Sequence, residues 1–392
     1  MHSPSVKKSQ EEPKREKSSV LACNGTRKEQ FFSLFPEAPP FRYRQFETAL
    51  FDPSFKDFSG ISTMPFLMRE RLDEKMPWLA LRPAHVLESV KKDTYKAVVT
   101  LGDEARVETV LMHNARGQWT VCVSAQVGCA MACTFCATGK MGFTRNLISD
   151  EIVDQYRFWK MFLHERPKLP ERISNVVFMG MGEPLANYDA VKLAIQELLK
   201  HTDLGPTHIT VSTVGLLPML RKILKDPEWP AVRLAVSLHS ADSETRKAMM
   251  PTSFDTFLEE LMVWTKEYFE KNESRRRHLT FEYVMLSKIN DTEMHAEALI
   301  RFARRVGKVR INLIPYNFTP QNSKRIAGPA RNDSRSDSGR QAGSVYRDSL
   351  SVDFTRFETL LKEAGVTVMR RRTMGDDIAA ACGQLIVEKT LS

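Results

Sequence analysis

The amino-acid sequence predicts an α/β fold in which parallel strands and helices alternate to form a partial (β/α)6 barrel. Amphipathic helical stretches, including 149–162, 189–201 and 291–306, lie between most of the strand-like runs. Because parallel strands need crossover connections, this order predicts a parallel sheet with its chemistry at the carboxyl ends of the strands. The strand-like runs are 175–180, 208–213, 232–238, 279–286, 309–315 and 366–370.

The region before the barrel divides into three parts. Residues 1–27 are polar and predict a disordered tail, whereas 28–90 carry helical patterns broken by Pro-bearing turns and predict a helical accessory domain that binds RNA. Strand-like runs such as YKAVVTL and VETVLMH predict a short β extension over 91–124. The barrel domain follows over 125–392, and its segment 319–350, rich in Ser, Arg, Asp and Gly, predicts a disordered insertion.

Composition narrows the location and the partners. The 392 residues carry a net charge of +9, which suits a polyanionic partner such as RNA or DNA. No run of about 18 or more apolar residues is present, so no membrane span is expected. The N-terminal tail lacks the apolar segment of a secretory signal and contains acidic residues that import peptides avoid. We therefore expect a cytoplasmic protein that does not act at a membrane.

Three of the six cysteines are clustered in the segment GCAMACTFCATGKMGFTRNL, with the spacing Cys-x3-Cys-x2-Cys. Cys129, Cys133 and Cys136 can hold three irons of a [4Fe–4S] cluster and leave the fourth iron without a protein ligand. An open iron can chelate S-adenosylmethionine (SAM), and one electron from the cluster then cleaves SAM to a 5′-deoxyadenosyl radical. Phe135 is placed to shield the cluster. A zinc site stays open as an alternative, although zinc needs a fourth ligand and the next Cys or His is His164.

The cysteine loop and the surrounding βα pattern resemble the radical SAM superfamily. The flanking sequence is similar to the dual-specificity 23S rRNA and tRNA adenine C2-methyltransferase family, and to its relative, the 23S rRNA adenine C8-methyltransferase. The resemblance spans residues 108 to about 388 and is looser in the helical region, through FRYRQ and DFSGISTMPFLMRERL. The matching segments are VCVSAQVGCAMACTFCATGKMGFTRNL, VFMGMGEPLANY, ITVSTVG, VSLHS, INLIPYN and MGDDIAAACGQL.

The resemblance implies a reaction that uses two further cysteines. Adenine C2 is electron-poor and cannot attack the methyl group of SAM, so the family first places that methyl group on a cysteine and then activates it with the radical. By resemblance, Cys382 carries the methyl group as S-methylcysteine. Cys122 is the resolving thiol, which forms a transient disulfide with Cys382, and Glu108 is the proton acceptor. The two cysteines must then come close together near the cluster loop.

Each of these residues also has a structural interpretation. Taken singly, Cys122 fits a buried strand thiol, Cys382 fits a filler at a helix end, and Glu108 fits a solvated strand carboxylate. One more residue than the family pattern separates Glu108 from Cys122, within the turn HNARGQ. Cys23 lies in the tail, matches no motif and receives no role.

The resemblance also implies a set of SAM contacts at the carboxyl ends of the predicted strands. Gly182 allows close approach of the backbone, and Glu183 can accept a hydrogen bond from the SAM ammonium. Most of the other contacts are hydroxyl, imidazole or amide groups, which suit ribose and adenine. These other contacts are Ser212, Ser237, Leu238, His239 and Asn317.

Two basic runs receive different interpretations. Arg275–Arg277 is interpreted as a solvated charged face. Arg370–Arg372 leads into the Cys382 segment, where the phosphates of bound RNA are expected.

The sequence as a whole predicts a radical SAM enzyme that methylates C2 of an adenosine in 23S rRNA and tRNA. Its predicted cofactors are a [4Fe–4S] cluster and SAM. C8-methylation of the same base is an alternative that the shared cysteines do not separate. A methylthiotransferase would need a second three-cysteine loop, which the sequence lacks, and a zinc-stabilised RNA-binding module is a non-enzymatic alternative. RNA and an electron donor such as flavodoxin or ferredoxin are the expected partners of a monomer.

Overall fold

The computed structural model describes residues 25–113, 116–272, 279–307, 309–317 and 346–386. Most of the tail, with Cys23, lies outside the described residues, as do the run Arg275–Arg277 and most of the insertion predicted over 319–350. Two residues of the HNARGQ turn, 114 and 115, also lie outside them. None of the helices that the structure describes is both long and apolar enough to cross a membrane.

A ten-stranded sheet forms the centre of the molecule, and its strands follow one another in chain order. A separate two-stranded sheet, β5 (Gln126–Gly128) with β6 (Phe143–Asn146), interrupts this order at the cysteine loop. The strands of the large sheet are β1 (Leu81–Glu88), β2 (Thr94–Leu101), β3 (Arg106–His113), β4 (Trp119–Cys122), β7 (Ile173–Phe178), β8 (Ile209–Thr213), β9 (Arg233–Ser237), β10 (Leu279–Met285), β11 (Arg310–Pro315) and β12 (Thr367–Arg370).

The direction of the strands changes at β4. Strands β1 to β4 pair antiparallel, as consecutive strands with short connections can. From β4 through β7 to β12 every neighbouring pair is parallel. In the described residues the sheet begins at β1 and ends at β12 without closing. The predicted α/β part-barrel with a β extension before it is confirmed.

Helices cover the parallel strands and supply a large part of the core. Trp159 and Trp264 are fully buried, and each indole N–H finds an acceptor, Oγ1 of Thr109 at 3.1 Å and the carbonyl of Leu220 at 2.8 Å. The helices are α1 (Arg27–Leu34), α2 (Pro40–Leu50), α3 (Phe66–Lys75), α4 (Ser149–His164), α5 (Tyr188–His201), α6 (Leu217–Lys225), α7 (Ser243–Met249), α8 (Phe257–Lys271), α9 (Glu293–Val306) and α10 (Ser351–Glu363).

The N-terminal helices have an apolar core of their own, built around Phe31, Phe46 and Phe58. A buried ion cluster fixes them to the barrel, because Arg27 of α1 and Arg157 of α4 both donate to the carboxylate of Asp154. Asp154 has no exposed surface. Opposite charges can share such a dry site only with good geometry, so the contact fixes how the helices sit.

The boundary between the helical region and the β extension differs from the sequence expectation. The helices end at Lys75, and β1 begins at Leu81, inside the stretch 28–90 assigned to helices. Strand β1 lies at the edge of the sheet, its register shifts between Pro83 and His85, and most of its side chains are exposed. An edge strand with proline lacks the apolar alternation that marks a strand in sequence, which explains why it was missed.

Candidate active site

The cysteine loop is held at its base by the small sheet of β5 and β6. The amide of Cys129 donates to the carbonyl of Gly142 at 2.8 Å. Gly128 has a positive φ of 75°, and a Cβ placed there would lie 1.9 Å from the same carbonyl oxygen. Only glycine allows this close crossing of the two strands, so the segment GCAMAC begins with a residue that the loop geometry requires.

The three cysteines of the loop line one cavity at the carboxyl ends of the barrel strands. Burial, with a contribution from the neighbouring Cys136, raises the pKa of Cys129 to about 11. Burial also raises the pKa of Cys133, again with help from the other two cysteines. The three thiolates can therefore persist together only when a bound cation compensates their charge.

The number and the kind of ligands in the loop fit an iron–sulfur cluster. In a tetrahedral zinc site the Zn–S bonds of about 2.3 Å place the sulfur atoms about 3.8 Å apart. Within the described part of the chain, the sulfur atoms of Cys129, Cys133 and Cys136 do not all lie within 4.8 Å of one another. The donor set, three thiols from one loop, matches the ligands that proteins supply to a [4Fe–4S] cluster with one open iron.

The segment MGMGEP places Gly182 and Glu183 in the same cavity. Gly182 has a φ of 95°, and a Cβ there would collide with Gln126 at 2.4 Å, so glycine is needed for this close approach. The carboxylate of Glu183 accepts from the amides of Leu185 at 2.9 Å and Val214 at 2.8 Å. Burial nevertheless raises the pKa of Glu183 to about 7, which leaves an acceptor that a cationic ligand would ionise.

Three more of the predicted SAM contacts line this cavity, namely Ser212, Ser237 and His239. His239 is buried with a φ of 57°, and its Nδ1 accepts from the amide of Val284 at 3.0 Å. Burial lowers the pKa of His239 to about 3, so its ring is neutral and Nε2 carries the hydrogen. Phe135 packs edge-on against this ring, with the centroids 4.9 Å apart.

Two buried side chains that the sequence analysis did not single out hold the ends of these strands. Arg246 donates to the carbonyls of Val214 at 2.9 Å, Ser237 at 3.3 Å and Leu238 at 3.1 Å, and thereby joins the ends of β8 and β9. Asn290 donates to the carbonyl of His239. An arginine in a short surface-patterned helix is normally solvated, so no local signal marked Arg246.

A second cavity adjoins the first, and Cys382 lines both. Cys122, at the end of β4, lines the second cavity together with Asn317, whose Nδ2 donates to the carbonyl of Cys382 at 3.1 Å. Burial, with a contribution from the nearby Cys382, raises the pKa of Cys122 to about 12. Both cysteines are free thiols. The exposed surface of Cys382 faces this cavity. Desolvation by the surrounding residues raises the pKa of its thiol.

The segment that carries Cys382 is tied to the cysteine loop. The amide of Ala137 donates to the carbonyl of Gly383 at 2.8 Å, and the hydroxyl of Thr138 donates to the carbonyl of Leu385 at 2.6 Å. These two hydrogen bonds place the Cys382 thiol beside the three cluster cysteines although the chain separates them by some 250 positions.

The remaining two predicted residues lie away from the cavity surfaces. Glu108 is buried in β3, where one carboxylate oxygen pairs with Lys96 at 3.0 Å and the other accepts from the amide of Ile386 at 2.9 Å. Burial raises its pKa, and Lys96 opposes the shift. Leu238 is fully buried in the core and reaches the site only through its backbone, which donates to the carbonyl of Glu282.

Comparison with known proteins agrees with this geometry. The radical SAM superfamily matches residues 123–300. The "Dual-specificity RNA methyltransferase RlmN" of Desulfotalea psychrophila is 37% identical over 358 residues, which cover 90% of each chain. The "Ribosomal RNA large subunit methyltransferase N" of Nitrosopumilus maritimus is 36% identical over 340 residues, covering 84% of this chain and 88% of its own. A radical SAM methyltransferase from Sphaerobacter thermophilus superposes with a TM-score of 0.78 at 32% identity, covering 91% of this chain and 96% of its own.

The fold, the cysteine loop and these similarities define a radical SAM enzyme, a class that uses an iron–sulfur cluster and SAM. Within that class, the chain belongs to the RlmN family of dual-specificity RNA methyltransferases. It is therefore a radical SAM RNA methyltransferase of the RlmN type. The family and the kind of enzyme predicted from the sequence are confirmed.

Proposed function

We propose that this enzyme methylates C2 of an adenosine in 23S rRNA and in tRNA. The observation that carries the proposal is that Cys122 and Cys382 line one cavity, while Cys382 also lines the cavity of the three cluster cysteines. A carrier sulfur reached from both sides suits a reaction that loads a methyl group on one side and passes it to a base on the other. The names of the relatives favour the RlmN-type substrate over C8-methylation.

Cys129, Cys133 and Cys136 would hold a [4Fe–4S] cluster, and Glu183 together with the backbone at Gly182 would hold the amino-acid end of SAM. The cluster, when bound, supplies the electron that cleaves SAM to the radical. The neutral His239 offers its Nε2 hydrogen to the cavity, and Ser212 and Ser237 offer hydroxyls to ribose.

The chain's own cysteines carry the methyl group. Cys382, as a thiolate, attacks the methyl group of one SAM molecule and displaces S-adenosylhomocysteine, so that S-methylcysteine forms. A second SAM molecule is the source of the radical that removes hydrogen from this methyl group. After the carbon has joined the base, the adduct would give up its unpaired electron to the bound cluster and its C2 proton to a base. Cys122 then attacks the sulfur of Cys382 as a thiolate, the bond between that sulfur and the transferred carbon breaks, and the carbon takes up a proton to become the methyl group as the disulfide forms. Glu108 remains the proposed proton acceptor, although both of its oxygens already have partners.

The N-terminal helices are our candidate for binding folded RNA. They present exposed apolar side chains, Phe66 at 61% and Leu67 at 76% exposure, and Arg69 lies over the Phe66 ring at 5.7 Å. An exposed aromatic ring beside a guanidinium group suits stacking with unpaired bases. An electron donor such as flavodoxin or ferredoxin would complete the system, with the enzyme acting as a monomer.

Two experiments test the proposal. Mass spectrometry of digested rRNA and tRNA, after incubation with reconstituted enzyme and SAM, should detect 2-methyladenosine; 8-methyladenosine in its place would overturn the C2 assignment. The Cys122→Ala variant should load the methyl group and then accumulate RNA attached covalently to the protein. Normal turnover by this variant would remove Cys122 from the mechanism.

A further inference from the structure

A row of polar side chains crosses the last three strands of the barrel. Glu282 of β10 and Asn312 of β11 are register partners, and Nδ2 of Asn312 donates to Oε1 of Glu282 at 2.8 Å. Arg371, directly after β12, places its Nε 3.8 Å from Oε2 of the same carboxylate. Glu282, Asn312 and Arg371 are not among the SAM contacts expected from the family resemblance, so their function is not yet assigned.

The row contains polar atoms that lack partners in the described part of the chain. Oε2 of Glu282 and Nε of Arg371 are both buried without a hydrogen bond, and Oδ1 of Asn312 is in the same condition. Leaving such atoms unsatisfied is costly, and proteins usually do so where a ligand completes the bonds. Glu282 and Arg371 line the cavity that contains Cys382 and the cluster cysteines.

The row also has a definite order relative to the carrier cysteine. Arg371 lines both cavities, as Cys382 does, and the guanidinium interacts electrostatically with the thiols of Cys122 and Cys382. The guanidinium donor of Arg371 thus interacts both with the carboxylate acceptor of Glu282 and with the carrier sulfur of Cys382. The basic run Arg370–Arg372 thus contributes one side chain to the cavity in addition to any contact with phosphates.

Adenine presents the complementary order along its edge. Its N6 amine donates, the adjacent ring nitrogen accepts, and the carbon to be methylated comes next. Guanine reverses both polar positions, with an acceptor at O6 and a donor at N1, so it would place an oxygen against the carboxylate. The same order holds for N6, N1 and C2 on one edge of adenine and for N6, N7 and C8 on the other.

We propose that Glu282 and Arg371 recognise the target adenine, with Oε2 of Glu282 accepting from N6 and the guanidinium of Arg371 donating to the neighbouring ring nitrogen. Because the target is adenine only under the function proposed above, this role rests on that function. The pair selects adenine over guanine and orients the base so that its reacting carbon faces Cys382.

The test combines a protein variant with a matched change in the RNA. Purine riboside at the target position lacks the N6 amine, and Glu282→Gln removes its acceptor. Because Asn312 donates to Oε1, the glutamine must turn its NH2 toward N6. Single-turnover methylation should fall about ten- to hundredfold for either change alone. The variant should then lose nothing further on the purine RNA, because the interaction is already gone.

The control variant is Glu260→Gln, which makes the same change in a carboxylate that pairs with Arg221 on the surface side of α8. On each of the two RNAs, this variant should methylate at the same rate as the wild-type enzyme does on that RNA. The SAM dissociation constant of Glu282→Gln should also equal that of the wild type. The proposed role of Glu282 in recognising the base would be overturned if the losses of rate from the variant and from the purine riboside multiplied. It would also be overturned if Glu282→Gln weakened SAM binding whichever base was present, because Glu282 would then be a SAM contact.

Arg371 is tested in the same way with deazaadenosines. Wild-type enzyme should lose rate on RNA that carries 1-deazaadenosine at the target when C2 reacts, and Arg371→Met should add no further loss. If the loss of rate caused by Arg371→Met multiplied with the loss caused by 1-deazaadenosine and also with that caused by 7-deazaadenosine, Arg371 would not be the residue that binds a ring nitrogen of the target. Failure of the proposed function has a separate signature, because wild-type enzyme would then produce no 2-methyladenosine on unmodified RNA.

Discussion

Arg246 is the residue whose replacement should show most clearly how the active-site strands are held. Its guanidinium is buried, lies over the Phe257 ring at 3.6 Å, and donates to carbonyls at the ends of two neighbouring strands, β8 and β9. The replacement Arg246→Met keeps a long apolar chain against the ring but removes every donor. We therefore expect a defect in strand-end geometry, and no loss of the apolar contact.

The magnitude follows from the acceptors that would lose their donor. The carbonyl of Leu238 keeps a bond from the amide of Ser240 at 2.7 Å, whereas those of Val214 and Ser237 lose the guanidinium. A buried carbonyl without a donor costs about 1–3 kcal/mol, so two of them cost about 2–6 kcal/mol. Relief of the buried charge offsets part of this cost, since burial lowers the pKa of Arg246 to about 9. The expected loss is about 3 kcal/mol.

Denaturant unfolding of the reconstituted enzyme measures this free energy, and equilibrium dialysis measures SAM affinity. Because Val214 and Ser237 line the cavity, the SAM dissociation constant should rise about tenfold, equivalent to about 1.4 kcal/mol. Arg221→Met is the matched control, since Arg221 is half exposed and forms a surface pair with Glu260. Its effect should stay below about 1 kcal/mol. If Arg246→Met were as mild as the control, strand-end fixation by this residue would be refuted.

Three further predictions concern binding and stability. With the pKa of Glu183 near 7, its ionised fraction falls roughly fifteenfold from pH 7 to about pH 5.5. The affinity for SAM, measured by equilibrium dialysis, should fall over the same pH range. In Glu183→Gln the affinity should no longer depend on pH over this range. Phe66→Ala should weaken RNA binding by about five- to hundredfold in filter binding at constant salt, while SAM cleavage stays unchanged. If the Lys96–Glu108 ion pair positions the Cys382 segment, Lys96→Met and Glu108→Gln should lower the rate of methylation by the same factor. A large loss of rate in Glu108→Gln alone would instead support the role of Glu108 as proton acceptor.

The barrel and the cysteine loop could be predicted because both are encoded locally. The alternation of strands and helices is a periodic signal, and the three thiols lie within eight residues. The structure places the strands within a few residues of the runs expected from sequence, as for β8 at Ile209–Thr213 against 208–213. Strand β1 escaped prediction because an exposed edge strand with proline lacks that periodicity.

The partners of the site residues could not be predicted in the same way. Arg246, Asn290 and the Glu282–Arg371 row act through contacts between elements that are far apart in the chain, and no spacing in the sequence marks them. Glu108 illustrates the opposite difficulty. Its position suggested a solvated or catalytic carboxylate, and its bonds to Lys96 and to the amide of Ile386 also make it a buried anchor between residues far apart in the chain.

The open side of the part-barrel explains why two cysteines so far apart in the chain share a cavity. Cys122 ends the first strand of the parallel series, and the Cys382 segment follows the last one, so the two cysteines lie at opposite limits of the parallel part of the sheet. The segment crosses this gap and is fastened to the β extension. Lys96 donates to the carbonyl of Ala379 at 3.2 Å, and Asp377 accepts from the amide of Val90 at 2.7 Å. A closed barrel would have paired the first parallel strand with the last, whereas here β4 pairs with β3, and the Cys382 segment instead lines a cavity together with Cys122.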